Sequence, residues 1–458
     1  MSGMQRLTTL DPHLLLRHAN EVKDRLGWPR QELLAYQERK LASALQHAVG
    51  SSPYYRDTIA ALVASGAALE ELPILTKHAL MQNFDRVVTD ARLDRALLEH
   101  HLEGEDPGAL LFGEFRVAAT GGTTGEKGIA IFDDRAWLEA IANTLRFQKI
   151  VGIDEKTRSM GIFASSAIHI SSRIGAEVRA IRPPAPRLNV LMPIEDIVAQ
   201  LNLYSPEVVS TYPSFVRVLG NEQRAGRLSI KPRLIRTSAE TLSQDVRDIA
   251  AEVWGATVAN SYTCTEVGAM GQECEMADGL HLAEDSVVFE VVDINNKPVP
   301  NGTAGARLLV TTLTNRILPL VRYEISDIVT LATEPCRCGL PLWRISSIEG
   351  RREEMLQFSR KGGGGIVEVH AHRLRSSLTR TGGVRQFQFS QLPDGLEITI
   401  SLFADFDHRM VAQSVEDSLR ETLATAGAEP RRIVVRAVQS IERNGPGAKE
   451  RLVVARAP

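Results

Sequence analysis

Cysteine is scarce in this sequence, with four in 458 residues. So few cannot staple a chain of this length, which excludes a disulfide-built scaffold and fits a reducing, cytoplasmic setting. An excess of charge of one sign is also missing. Fifty-three Lys and Arg stand against 56 Asp and Glu, a formal net charge of −3. That argues against nucleic acid or an anionic membrane as the main partner. No apolar run approaches the roughly 20 residues that cross a bilayer. The opening residues Met1–Leu7 carry no secretory apolar segment. Internal repeats are absent, and Gly362–Gly365 is the one low-complexity tract, so a solenoid or fibrous array is excluded.

What remains is the composition of a globular enzyme, 43% hydrophobic and 24% charged. The length exceeds one ordinary core, since soluble domains usually hold roughly 100–200 residues. Residues 12–64 read as helices, broken at Ser51-Ser52-Pro53, and Thr76 is a candidate N-cap for His78–Met81. After an amphipathic helix over Arg135–Val151, short apolar strands alternate with helices. The strands are Met160–Phe163, Val208–Thr211, Leu234–Thr237 and Thr257–Asn260, and the helices include Gln244–Trp254. This alternation predicts an α/β fold with parallel pairing. From about Ser286 the texture shifts to antiparallel β, with Val287–Val292 and Ala306–Val310 around a turn-rich loop. A second shift at Arg351–Glu353 opens a small α+β pattern with strands near Phe387–Phe389, Leu396–Ile400 and Ile433–Val435 and a helix over Val411–Ala426. The expected division is therefore 1–350, layered α/β sheets plus a β-rich subdomain, and 351–458, a small mobile α+β domain.

One stretch draws the chemistry together. Thr120-Gly121-Gly122-Thr123-Thr124-Gly125-Glu126-Lys127 lies between the apolar runs Phe115–Ala119 and Ile129–Phe132, a strand, tight loop and strand. Its glycines allow close backbone approach, its hydroxyls and N–H groups suit phosphate oxygens, and Lys127 adds a point charge. The Walker spacing is absent. Taken alone, the run also fits a glycine-rich hairpin turn with no ligand.

Its companions sharpen the reading. Tyr262-Thr263-Cys264-Thr265-Glu266 follows a strand, Asp327 closes Arg322–Asp327, Gly350-Arg351 opens the boundary, and Lys449 lies in Gly445–Arg451. In this order the motifs resemble those of the adenylate-forming superfamily of acyl-CoA ligases and adenylation domains. Ser51–Arg56, the link Leu72-Pro73-Ile74-Leu75-Thr76-Lys77 and Asp278–Asp285 resemble the phenylacetate–coenzyme A ligase and coenzyme F390 synthetase-like branch.

The resemblance implies ATP-dependent activation of a carboxylic acid as its acyl-AMP, then transfer to coenzyme A. It implies that Thr120–Lys127 wraps the triphosphate, that Glu266 holds Mg2+ and that Thr265 touches the α-phosphate. Ser238-Ala239-Glu240 and Asn260-Ser261-Tyr262 would frame adenine, Asp327 the ribose, and Arg351 the ribose or phosphate. Glu353 would be the hinge. Lys449 would reach the acyl-phosphate. Beyond Gly350 stand fifteen Arg and only two Lys, Lys361 and Lys449, so a lysine inside a glycine-rich loop suits a flexible point charge. Outside this context, an acid such as Glu266 or Asp327 is more often solvated or capping. An amine or a carrier protein as acyl acceptor, and a non-catalytic nucleotide-binding protein, remain as rivals. The sequence leaves a homodimer open.

Two further groups stand out. Cys274, His281, Cys336 and Cys338 are four ligands of the kind structural zinc takes, although two unrelated reduced cysteine pairs would read the same. The resemblance adds that some relatives bind zinc there. Cys264 reads as a pocket-wall residue. Phe163, Ala167, His169, Tyr212 and Pro213 fall where the resemblance places the acyl substrate, favouring an aromatic acid, while a histidine there is more often structural.

Overall fold

The computed structural model describes residues 10–120, 128–164, 166–351, 354–378, 381, 383–402, 406–441 and 453–454. The chain begins with helices Pro12–Asp24, Arg30–Ser51 and Pro53–Ala64. The break at Ser51-Ser52-Pro53 works through the proline ring, which bars the α region to Ser52. Ser52 accordingly sits at φ −101°, ψ 120°. Pro53 then opens the next helix, where its missing N–H costs nothing, and Ser52 Oγ accepts from the Tyr55 amide at 3.4 Å.

A nine-stranded sheet follows. From one edge its strands are Leu188–Asn189, Ser159–Phe163, Val208–Thr211, Leu234–Ser238, Thr257–Cys264, Gly268–Glu273, Leu280–Leu282, Arg344–Arg351 and Asp327–Leu331. The first five are parallel and the rest antiparallel. Helices Ile170–Ala180, Ile194–Tyr204, Pro213–Arg224 and Gln244–Trp254 follow the parallel strands. Met160, Ile162, Val209, Ile235 and Val258 pack on Ile197, Phe215, Leu219 and Val246 to form one core. The layered α/β expectation holds. The antiparallel texture begins earlier than the shift read near Ser286. Gly268–Glu273 has no β-branched residue, yet every position is buried. Pairing on both sides, rather than propensity, makes it a strand.

Strands Arg116–Ala119 and Ile129–Phe132 form an antiparallel hairpin with Ala119 opposite Ile129. Its base is closed by Thr120 N donating to Gly128 O at 2.9 Å and Gly128 N donating to Thr120 Oγ1 at 2.8 Å. The strand–loop–strand reading thus holds at its flanks. Gly121, Gly122, Thr123, Thr124, Gly125 and Lys127 lie outside the described residues. Val287–Val292, Arg307–Thr312 and Tyr323–Ile325 make a three-stranded antiparallel sheet.

Residues beyond 355 have a core of their own, in which Leu356, Phe389, Ile398, Val415 and Leu419 meet. A hairpin, Met355–Ser359 with Ile366–His370, precedes a four-stranded sheet ordered Arg432–Val438, Gly395–Leu402, Val384–Leu392 and Val453–Val454. The hairpin tip explains the glycine run. Gly362, Gly363, Gly364 and Gly365 have φ of 82°, 87°, 89° and 131°, values that side chains resist. Arg375 Nη1 donates to Thr241 O at 3.3 Å and ties this part to the large sheet. Among the described residues no helix is long and apolar enough to cross a membrane.

Candidate active site

The site begins with a docked link. Leu72 and Leu75 are buried, and Leu75 lies along the strand Tyr323–Ile325. Its N–H donates to Arg322 O at 3.1 Å and its carbonyl accepts from Glu324 N at 2.9 Å. Thr76 Oγ1 then accepts from the Ala79 amide at 3.1 Å and starts the helix Lys77–Gln82, as its N-cap role predicts. Held this way, Lys77 reaches the base of the glycine hairpin, with Nζ 3.3 Å from Thr120 Oγ1.

Glu266 meets Lys77 there. It occupies the turn between Thr257–Cys264 and Gly268–Glu273 and is 8% exposed. Its Oε1 accepts from Tyr323 Oη at 2.9 Å. Burial, then the charge of Glu266, pushes the Tyr323 phenol far above its usual range. A Cβ on Gly128 would stand 3.0 Å from Lys77 Cε, 3.3 Å from Glu266 Oε1 and 3.3 Å from Thr120 Cγ2, so these three side chains converge on one glycine. Thr265, beside Glu266, is half-buried. Asp327 Oδ2 accepts from Tyr262 Oη at 2.5 Å. Asp327 also stands opposite Arg351 in the sheet register, so two motifs far apart in sequence become cross-strand neighbours. The Arg351 side chain, Glu353 and Lys449 lie outside the described residues. Sequence reasoning quoted the Leu72–Lys77 link but gave Lys77 no role. The cue was a lysine directly after an N-cap, on a segment that docks by Leu72 and Leu75.

The remaining sequence-selected residues gather at the carboxyl ends of the parallel strands, where open α/β sheets bind ligands. Ser238-Ala239-Glu240 leaves its strand with Ala239 at φ 69°, a left-handed turn that a side chain normally avoids. Glu240 Oε2 and Oε1 accept from Ser214 N at 3.0 Å and Ser214 Oγ at 3.1 Å, tying this turn to the start of the helix Pro213–Arg224. Asn260 Oδ1 accepts from Thr237 Oγ1 at 3.2 Å, and Ser261 Oγ donates to Gln272 Oε1 at 2.6 Å. Phe163 and Tyr212 meet edge to face, with centroids 5.1 Å apart at 85°. Pro213 is buried and Ala167 exposed. His169 Nδ1 lies 3.3 Å from Ala119 O, and Ala119 N donates to Ile168 O at 2.9 Å. These contacts join the segment around Ile168 and His169 to the glycine hairpin. Cys264 Sγ packs 3.7 Å from Met270 Sδ, and burial pushes its thiol well up, which suits a wall residue rather than a nucleophile.

Cys274, His281, Cys336 and Cys338 come together, their ligand atoms all within 4.8 Å of one another. The antiparallel pair Val287–Val292 and Arg307–Thr312 lies between His281 and Cys336 in the chain, but the closing contact is the pairing of Leu280–Leu282 with Arg344–Arg351, which sets His281 opposite Arg344. Cys274 Sγ and Cys336 Sγ are 3.7 Å apart, and Cys338 Sγ is 3.3 Å from His281 Nε2. The first distance far exceeds a disulfide bond of about 2.05 Å. It matches the edge of a tetrahedron with zinc–sulfur bonds of about 2.3 Å. His281 Nδ1 lies 2.9 Å from Leu342 O, so Nδ1 can donate there and leave Nε2 as the ligand atom. The donor set fits structural zinc.

No family model matches the chain. Curated relatives do. The phenylacetate–coenzyme A ligase of Thermus thermophilus is 27% identical over 72% of this chain and 72% of its own length. The phenylacetate–coenzyme A ligase of Escherichia coli is 26% identical over 71% and 72%. The chain is thus similar to phenylacetate–coenzyme A ligases over nearly three quarters of its length. Among solved structures, a 2-hydroxyisobutyryl-CoA ligase in the postadenylation state with 2-HIB-AMP matches 94% of this chain and 90% of its own, with TM-score 0.74 and 19% identity. The same ligase in its thioesterification state matches 98% and 91%, also at 19% identity, with TM-score 0.57. The shared fold therefore extends through the small C-terminal part.

Proposed function

We propose that this chain is an ATP-dependent, AMP-forming ligase that activates a carboxylic acid as its acyl-adenylate and passes the acyl group to coenzyme A. The observation that carries the reading is the meeting of Lys77, Thr120, Glu266 and Tyr323 at the base of the glycine hairpin, with Asp327 held by Tyr262. Similarity to the phenylacetate–coenzyme A ligases supports it.

In the first half-reaction a carboxylate oxygen bonds to the α-phosphorus and the bond to pyrophosphate breaks. No proton need move, so the protein's task is to position two anions and offset their charge. Thr120 and the loop Gly121, Gly122, Thr123, Thr124, Gly125 and Lys127 take the phosphates, and Lys77 adds a cation at their base. Thr265 lies beside the α-phosphate. Magnesium carried with ATP would be held by Glu266 and would screen phosphate charge. Tyr323 fixes the Glu266 carboxylate for that role. Asp327 has acceptor capacity beyond Tyr262 for ribose hydroxyls, and Arg351 stands beside it. Ser238, Ala239, Glu240, Asn260, Ser261 and Tyr262 frame adenine. The crossed rings of Phe163 and Tyr212, with Ala167, His169 and Pro213, favour a flat acyl group. Zinc on Cys274, His281, Cys336 and Cys338 would be structural, because four protein ligands leave no position for a reacting water. Residues 351–458 act as a mobile lid that brings Lys449 in.

Acid-dependent ATP–pyrophosphate exchange tests the first step across a panel of aromatic and aliphatic acids. Mass analysis of products after adding coenzyme A, simple amines or a carrier protein tests the second. Exchange without acyl-CoA would move the acceptor to an amine or carrier, and no exchange with any acid would reject the reading.

A further inference from the structure

The turn Ser238-Ala239-Glu240 is held from outside itself. Ala239 sits at φ 69°, a strained value for a residue with a side chain, and such a turn persists only where its surroundings fix it. One side is fixed by the helix Pro213–Arg224. Ser214 holds the Glu240 carboxylate. Arg217, nearly one turn further along, donates from Nη2 to Ser243 Oγ at 3.0 Å and from Nε to Asp245 Oδ2 at 2.7 Å. Between these ties stands the Thr241 carbonyl. Its donor comes from the small C-terminal part, Arg375 Nη1 at 3.3 Å. Among the described residues this is the one side-chain hydrogen bond that joins residues 10–351 to residues 354–454.

The helix Ala371–Leu378 sets Arg375 in place. Ala371, Leu374 and Leu378 are buried in the core of the small part, a spacing of three and four that marks the inward face. Arg375 borders that face and is 5% exposed, so it is no swinging surface arginine. In an enclosed setting, a hydrogen bond from a charged donor is stronger than the same bond in water. The Arg375 charge also reaches the large part. Burial would raise the Asp245 carboxyl, yet the bond and charge of Arg217, the bond to Ser243 and the charge of Arg375 hold it below its usual range. Asp245 Oδ1 is buried without a hydrogen-bond partner, so Arg217 alone does not satisfy this carboxylate. The small part therefore contributes a cation to the segment that directly follows the turn.

We propose that Arg375 is a positioning residue for the nucleotide: it braces the Ser238–Glu240 turn through Thr241 O and the neighbouring Asp245 while the small part sits as in this structure. The inference rests on the adenylation reading, which sets adenine at Ser238, Ala239 and Glu240. Two consequences follow from one contact. The turn is better ordered for adenine when the small part is docked, and bound ATP favours that docking by the same factor. An arginine that only glued the two parts together would stabilise them equally with and without nucleotide.

Arg375→Met should raise KM for ATP in pyrophosphate exchange, and Kd for ATP in calorimetry, by about tenfold with a much smaller effect on kcat. Arg375→Lys keeps a cationic donor and should recover part of the loss. Amide hydrogen exchange gives a readout apart from activity. In the wild type, ATP should protect both residues 241–245 and the helix Ala371–Leu378. In Arg375→Met it should protect the first less and the second not at all. The wild-type protection decides the matter if Arg375→Met fails to fold. No ATP binding by the wild type would reject the adenylation reading, and this inference with it. ATP binding and pyrophosphate exchange with an unchanged KM for ATP in folded Arg375→Met, or wild-type protection that stops at residues 241–245, would leave the adenylation reading standing and overturn the inference.

Discussion

Glu266 works through its setting. Alone it is one acid among 56 acidic residues. Here it is buried, oriented by Tyr323, and faces Lys77 across Gly128. Glu266→Gln keeps an oxygen to accept from Tyr323 and removes only the charge. The variant should fold with a melting temperature near wild type and lose at least about a hundredfold in pyrophosphate exchange, the scale of one lost electrostatic contact in an enclosed site. Lys77→Met should fall in the same range, mainly through KM for ATP, because a phosphate cradle acts in ground and transition states alike. Near-normal exchange in a folded Glu266→Gln protein would remove that residue from the site. The acids and hydroxyls were legible as motifs. Lys77 was not, because its position depends on Leu75 pairing with a strand about 250 residues away, and no local pattern records that.

At the scale of elements, the parallel strands were legible because short apolar stretches such as Val208-Val209 and Leu234-Ile235 alternate with helical segments. Val208–Thr211 and Gln244–Trp254 carry the bounds read from sequence. The antiparallel continuation hid in Gly-Ala-Met-Gly-Gln-Glu, a strand formed by its neighbours. Docking between helices was hidden too. His18, on the first helix, lies 2.7 Å from Glu139 on the helix Asp134–Ile150, and Arg25 and Ser286 crowd the same carboxylate. The hydrogen bond to Glu139 raises the His18 pKa above 6.5, against burial, with Glu21 adding and Arg25 opposing. Burial alone would raise Glu139, yet the bond from His18 and the charges of Arg25 and His18 hold it near 2, below 4.5. The His18 contribution is full below about 6.5 and is lost as pH climbs through its raised value. The Glu139 contribution is full above about 4.5 and is lost as pH falls toward 2. Both hold only between those limits. Wild-type melting should therefore fall by about 1–3 °C from pH 6 to pH 8.5, and His18→Gln should flatten that slope. Equal slopes in scanning calorimetry would exclude the pair as its cause. The Cys274 cluster pins three strand ends in the same way. One zinc per chain should be found in protein purified without a metal-affinity tag. Stripping it should lower the melting temperature, as should Cys336→Ser, while residual exchange at low temperature survives. An unchanged melting curve after chelation would reject a structural metal.

At the scale of the whole molecule, the question is what the small C-terminal part does between half-reactions. Its core is separate, built from residues beyond 355. Its attachment runs through Arg351, the last residue of a strand beside Asp327, and a Cβ on Gly350 would stand 2.2 Å from His370 Cε1. A rotation there would move the small part as a body and leave Asp327 and Glu266 in place. If the part rotates, Lys449 serves only the first half-reaction, where its ammonium offsets charge as the carboxylate meets the α-phosphate. Such a contact acts on rate more than on uniform binding. Lys449→Ala should then cut acyl-AMP formation by about a hundredfold or more while sparing transfer from chemically supplied acyl-AMP to coenzyme A. Glu353→Pro, which fixes φ at the hinge, should slow the complete cycle more than either isolated step. Single-turnover measurement of the two half-reactions separates these outcomes. Equal slowing of both by Lys449→Ala, or of neither, would reject the domain-rotation account for this chain.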